Sequence, residues 1–201
     1  MRFWVGVLGM TLSVSACDQT EPGPTEPGAV VGDSLWASLQ RECPADAPAP
    51  SLAQERADSL PPIFRFSDTN AEWAAIARKV PGGWGGFFYH DGAPTMYLRD
   101  PSLKEQAVAA LQAEGMPFGM DVVVRAGRWD FAQMYDWYRY VAPHVWGAGG
   151  VSSSDVQEAR NRLEYGVIDE DARHRVEHAL TLLDVPCFLV AIRISPYAIV
   201  D

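Results

Sequence analysis

Positive charge is scarce in this sequence: 16 Lys and Arg stand against 26 Asp and Glu, a formal net charge of −10. That deficit argues against nucleic acid as a partner and against a polybasic grip on anionic lipid, since both need clustered cations. Long apolar runs are missing too. The first stretch, MRFWVGVLGMTLSVSAC, is apolar only over residues 3–12, and a bilayer span needs about 20 such residues. Nucleophile and phosphate signatures are equally absent. No G-x-S-x-G occurs, and the glycines of PGGWGGFFYHDG (residues 81–92) have no strand before them, no helix after them and no closing Lys-Ser/Thr. They serve instead as a strand entry, with Asp91-Gly92 between two apolar runs as a hairpin turn.

What is present begins with a leader. Arg2, the short apolar run and the small residues before Cys17 have the form of a secretory signal peptide over residues 1–16. The ending Val14-Ser15-Ala16-Cys17 resembles the lipobox of bacterial lipoproteins. The resemblance implies cleavage before Cys17 and acyl chains on that residue, an anchor of about 0.8 kcal/mol per buried methylene. An ordinary cleaved signal with an incidental cysteine is the alternative. Residues 17–32, rich in Pro, Gly and Glu, then form a lipidated cysteine and a solvated tether, and a single domain of residues 33–201 follows. The expected location is the bacterial cell envelope, outside the cytoplasm, with the lipid anchor as the sole membrane contact.

Cys43 and Cys187 are then an even pair in an oxidising compartment, and a disulfide between them would close most of the domain into one loop. Two free thiols, with Cys187 a small buried hydrophobe, are the other reading.

The domain alternates helix and strand patterns. A short helix fits 51–59, and Thr69 with Glu72 forms a capping box before a helix ending near Val80. Strands follow at 84–90 and 94–99, the second an edge at Pro94. Ser102 and Glu105 box a helix ending at Gly115, and 120–126 is a β-branched strand. Asp130 caps a helix ending at Pro143, and 147–154 reads as a flexible loop. Leu163, Tyr165 and Val167 alternate with polar residues as a strand. Asp169 caps the last helix, and CFLVAIRI, 187–194, is apolar enough for a central strand. This pattern predicts an α+β fold: a two-layer sandwich with a mainly antiparallel sheet and helices packed on one face, with two α/β halves conceivable within it.

Candidate chemistry is thin. His174 and His178 share a helix face beside Glu177, but Arg175 follows His174 where a zinc protease motif needs Glu. Their face lies opposite the apolar stripe and reads as solvated surface. The serine run Ser152, Ser153, Ser154 sits in a polar stretch, and Cys187 opens an apolar strand that keeps a thiol inert. No catalytic residue, metal site or cofactor is assigned, and the chain is not expected to be an enzyme. Trp137 and Tyr140 fall off the buried stripe of their helix, and exposed aromatics of this kind are over-represented at binding hot spots. Packing beneath the loop over 144–158 is the alternative for them.

The stretch GGWGGFFYHDGAPTMYLRD, the helix WDFAQMYDWYRYV and the run DVQEARNRLEYGVIDED with LLDVP resemble, in order, the prodomains of secreted serine proteases of the α-lytic protease and streptogrisin type. The likeness covers about residues 70–193. It implies an α+β domain that acts by binding, docking on its protease through its sheet with the C-terminal tail in the cleft. The matching positions Gly86, Asp91, Gly92, Asn161, Arg162, Gly166 and Val167 are structural in kind. This chain departs from the pattern by stopping at Asp201 with no protease behind it. Its tail SPYAIVD is extended in character, with Tyr197, Ile199 and Val200 as side chains for a cleft. The expected function is therefore a lipid-anchored, non-enzymatic protein-binding module, an inhibitor or folding helper for a secreted chymotrypsin-fold serine protease. A structural or adhesion lipoprotein binding another envelope component, or a small hydrolase, are the rivals.

Overall fold

The computed structural model describes residues 35–60, 69–117, 119 and 121–196, all within the compact unit Asp33–Asp201. Two short helices, α1 (Leu35–Arg41) and α2 (Gln54–Asp58), lead into the main body. There the order is α3 (Thr69–Ala77), β1 (Trp84–His90), β2 (Ala93–Leu98), α4 (Lys104–Ala113) and β3 (Val123–Ala126). It then repeats as α5 (Phe131–Ala148), β4 (Val151–Gln157), β5 (Arg162–Val167), α6 (Glu170–Thr181) and β6 (Val190–Ile194). The fold is α+β, built from two halves of the same α-β-β-α-β order.

Each half carries one three-stranded sheet, β1-β2-β3 and β4-β5-β6. In both, an antiparallel hairpin is followed by a helix and a third strand parallel to the hairpin's second strand. The sheets are therefore mixed rather than mainly antiparallel. A helix between two neighbouring strands returns the chain in the same direction, which only parallel pairing accommodates. The Asp91-Gly92 hairpin forms as expected, both residues having positive φ (50° and 75°), the two-residue turn that matches strand twist. β2 is an edge at Pro94, as expected, and becomes the central strand only beyond it. Pro94 precedes Thr95, where pairing with β3 begins, so its missing N–H is not needed there.

Helix α5 is the hub, packing against α3, α6 and β4. Asp130 caps it in a reciprocal box with Gln133. Its Phe131, Met134, Val141 and Val145 share one core with Trp84, Met96 and Leu98 of the first sheet and Leu163, Tyr165 and Val167 of the second. The helix does not stop at Pro143 but runs to Ala148. Val145, beyond the proline, is fully buried, and that packing holds the turn a proline would otherwise end.

Three further expectations are corrected. Residues 151–157 are strand β4 rather than loop, because β5 pairs with them along their length. The 187–194 run is not a central strand: β5 is central and β6 is the edge. The apolar character of Cys187, Phe188 and Leu189 goes into a disulfide, a contact beneath Arg128 and a core side chain. Finally, Asp100 rather than Ser102 caps the turn before α4, accepting the Ser102 N–H at 3.0 Å.

Candidate functional site

The residues ahead of the repeated body form a strap over α5. Cys43 and Cys187 are disulfide-bonded, which ties the end of α1 to the approach to β6. From there the proline-broken chain over residues 44–52 offers its carbonyls to side chains below. Arg128 donates to Ala45 and Ala47 at 2.5 and 2.6 Å, Gln133 to Ala49 at 3.2 Å, and Trp137 Nε1 to Pro50 at 2.9 Å. A chain with prolines cannot satisfy these acceptors by helix or sheet, so side chains do it.

The strap decides the fate of the two aromatics that looked exposed. Trp137 is buried, 3% accessible. Tyr140 is half-buried, with its ring 6.0 Å from Trp137 and 5.3 Å below the Arg56 guanidinium. Arg56 itself bonds the Leu183 carbonyl at 3.1 Å and so fixes α2 across α5. Both aromatics meet the protein's own N-terminal segment. The helical wheel of α5 showed only the stripe facing the sheets, while a second side is covered by a segment distant in sequence.

Glu177 is corrected in the same way. It lies under α1, which packs on α6, and is 3% accessible rather than on a solvated face. Arg173 compensates it at 2.9 Å, with His174 Nδ1 at 3.7 Å. Among the described residues no three His, Cys, Asp or Glu side chains converge to hold a metal ion, and no helix is long and apolar enough to cross a membrane. Cys17, Tyr197, Ile199 and Val200 lie outside the described residues.

The glycine cluster turns out to be structural. Gly82 and Gly83 (φ 83° and 69°) make the turn into β1, and Gly86 (φ 107°) sits in a bulge between Trp84 and Phe87. A β-carbon on Gly86 would overlap that of Glu158, so the glycine lets the first sheet abut the second half. Asn161 closes this seam from the other side. Its backbone is left-handed (φ 52°) and its Oδ1 accepts the Arg128 N–H at 2.8 Å.

The outward face of the second sheet is polar and built by alternation. Asp155, Glu164 and Ala191 lie in register across the three strands, as do Ser153, Gly166 and Arg193. Glu164, 6% accessible, is held by Arg193 Nε at 2.6 Å and Arg160 Nη1 at 2.8 Å. β4 is an edge of this sheet. A groove of about 470 Å³ runs along it, between the exposed indole of Trp146 and the pair Glu164–Arg193, with Ser152, Ser153 and Ser154 on its floor. Ser152 is engaged with the Ser195 carbonyl at 2.6 Å and Ser154 with the Tyr138 hydroxyl at 2.9 Å. The groove is not legible in the sequence because its floor reads as loop. The alternation of Arg162, Glu164 and Gly166 along β5 is the one signal that points to it.

No family model matches the sequence, and no curated protein matches it.

Proposed function

We propose that this chain is a lipid-anchored envelope protein whose globular part is a protein-binding module. It would act in the manner of a protease prodomain, inhibiting or helping to fold a secreted chymotrypsin-fold serine protease. The observation that carries this reading is the groove along β4. An edge strand offers its outer row of backbone donors and acceptors to an added strand. Trp146 beside it is an aromatic anchor of the kind that dominates binding energy. The likeness to prodomains, which dock through a sheet, adds to it, as does the lipobox for the anchor.

The test is binding and inhibition of purified secreted chymotrypsin-fold proteases by the full chain. Inhibition at micromolar concentration that weakens at least tenfold in Trp146→Ala, with the melting temperature unchanged, is the expected result. A chain that neither binds nor inhibits any such protease overturns the protease reading.

A further inference from the structure

The seam between the two halves holds a second, smaller cleft of about 190 Å³. Pockets for whole cofactors or drug-sized ligands run from roughly 300 to 1,000 Å³, so this one fits a single side-chain-sized group. Tyr97 and Phe188 wall it, and three arginines line it, Arg128, Arg160 and Arg162, with no Asp or Glu among the lining residues. In a protein of net charge −10 that is a local reversal of sign.

The three guanidiniums differ in what already occupies them. Arg160 shares the buried Glu164 with Arg193. Arg128 spends its N–H groups on the Ala45 and Ala47 carbonyls and lies 4.6 Å over the Phe188 ring, and among the described residues no carboxylate compensates its charge. Arg162 donates Nε to the Arg160 carbonyl at 3.4 Å and pairs with no carboxylate among the described residues. Two full positive charges therefore face a small cleft with aromatic walls. A planar guanidinium fork matches a carboxylate edge-on, and reduced contact with water strengthens the attraction.

We infer that this cleft is a carboxylate subsite that receives an acidic side chain of a protein partner. The inference rests on the binding reading above and adds the chemistry of the partner to it. The ¹⁵N-labelled full chain in non-ionic detergent is titrated with N-acetyl-glutamate methylamide, and in parallel with the N-acetyl-glutamine analogue and inorganic phosphate. The expected result is saturable shifts of the Gly127, Arg128 and Asn161 amides with the glutamate probe, at least tenfold weaker with the glutamine probe. They are lost in Arg162→Ala and Arg162→Gln and kept in Arg78→Ala, whose guanidinium pairs with Asp136 elsewhere. Equal response to the two amino-acid probes, tighter binding of phosphate, or shifts that survive both Arg162 variants would each overturn it. Because the probe needs no partner, failure here leaves the protein-binding reading to its own test at the β4 groove.

Discussion

Asn161 and Trp129 are joined twice through one amide group: Asn161 Oδ1 accepts the Trp129 N–H at 2.8 Å, and Nδ2 donates to the Trp129 carbonyl at 2.8 Å. The side chain thus imitates a neighbouring strand for a turn that has none, at the point where the first half hands over to the second. Trp129 is fully buried, so water does not replace these bonds. Asn161→Ala leaves the Arg128 and Trp129 groups without their partner and forces a β-carbon residue of lower tolerance into the left-handed region. A loss of about 2–4 kcal/mol is expected, from roughly 1–3 kcal/mol for each buried group left unpaired and a smaller conformational part. Denaturant unfolding measures it. Asn161→Gly separates the two parts, because it relieves the backbone and restores no bond. Full recovery in that variant would show that conformation, rather than hydrogen bonding, holds the seam.

Gly86 and Gly92 make a matched pair of glycines with positive φ, 107° and 75°. Around Gly92 nothing lies within 4 Å of an added β-carbon, whereas at Gly86 that atom would collide with the Glu158 side chain and sit 3.4 Å from Phe131. Gly92→Ala should therefore cost only the conformational penalty, about 1 kcal/mol. Gly86→Ala adds overpacking of about 1–3 kcal/mol and pushes the two halves apart. Thermal melts of the two variants compare them directly, and equal melting temperatures would refute the close seam.

The parts that local chemistry dictates were readable in the sequence. Asp91-Gly92 makes its turn, and Asp130 and Asp169 cap their helices, because turn geometry and helix ends depend on a few adjacent residues. The α+β class followed from the alternation of helix and strand periods. What could not be read were features set by distant partners. Residues 151–157 contain three serines and little apolar content, yet pair as a strand because β5 lies beside them. Pro143 stays helical because Val145, just beyond it, is anchored in the core. Trp137 is covered by a strap some 80 residues upstream, its carbonyl partner being Pro50, and no helical periodicity carries that information. The β4 groove and the arginine seam were hidden for the same reason: each is assembled from segments separated in sequence.

The Cys43–Cys187 bridge closes a loop spanning 144 positions. In the chain-entropy model a loop of that length is worth on the order of 4–5 kcal/mol. The Cys43→Ser/Cys187→Ser variant, or wild type under reductant, should unfold at distinctly lower denaturant. Trp137→Phe, which keeps the ring buried but loses the 2.9 Å bond to Pro50, should lose about 1 kcal/mol. If the strap is held cooperatively, its amides exchange faster in both variants while those of β5 do not. A bridge variant as stable as wild type would contradict the strap's contribution.

Glu158 gives a pH-dependent test of the same seam. Burial pushes its carboxyl above the usual glutamate value of 4.5, and the Asp155 carboxylate adds to this, while a bond from its own backbone N–H pulls the other way. The folded protein therefore holds this proton more tightly than the unfolded chain does. By linkage, the stabilisation is complete below the unfolded value and is lost as pH rises through the raised folded value. Glu158→Gln fills nearly the same space and stays neutral throughout. At pH 7 the Gln variant should melt higher than wild type, since it avoids keeping a carboxylate beside Asp155 at the bulge. Titrating downward should shrink that advantage until the two proteins converge below about pH 4, where wild type is protonated as well. Other carboxylates titrate in both proteins and cancel in the difference. A difference that stays constant from pH 4 to 8, or grows as the pH falls, would mean that Glu158 is hydrated in the folded state and that the seam at Gly86 is open to water.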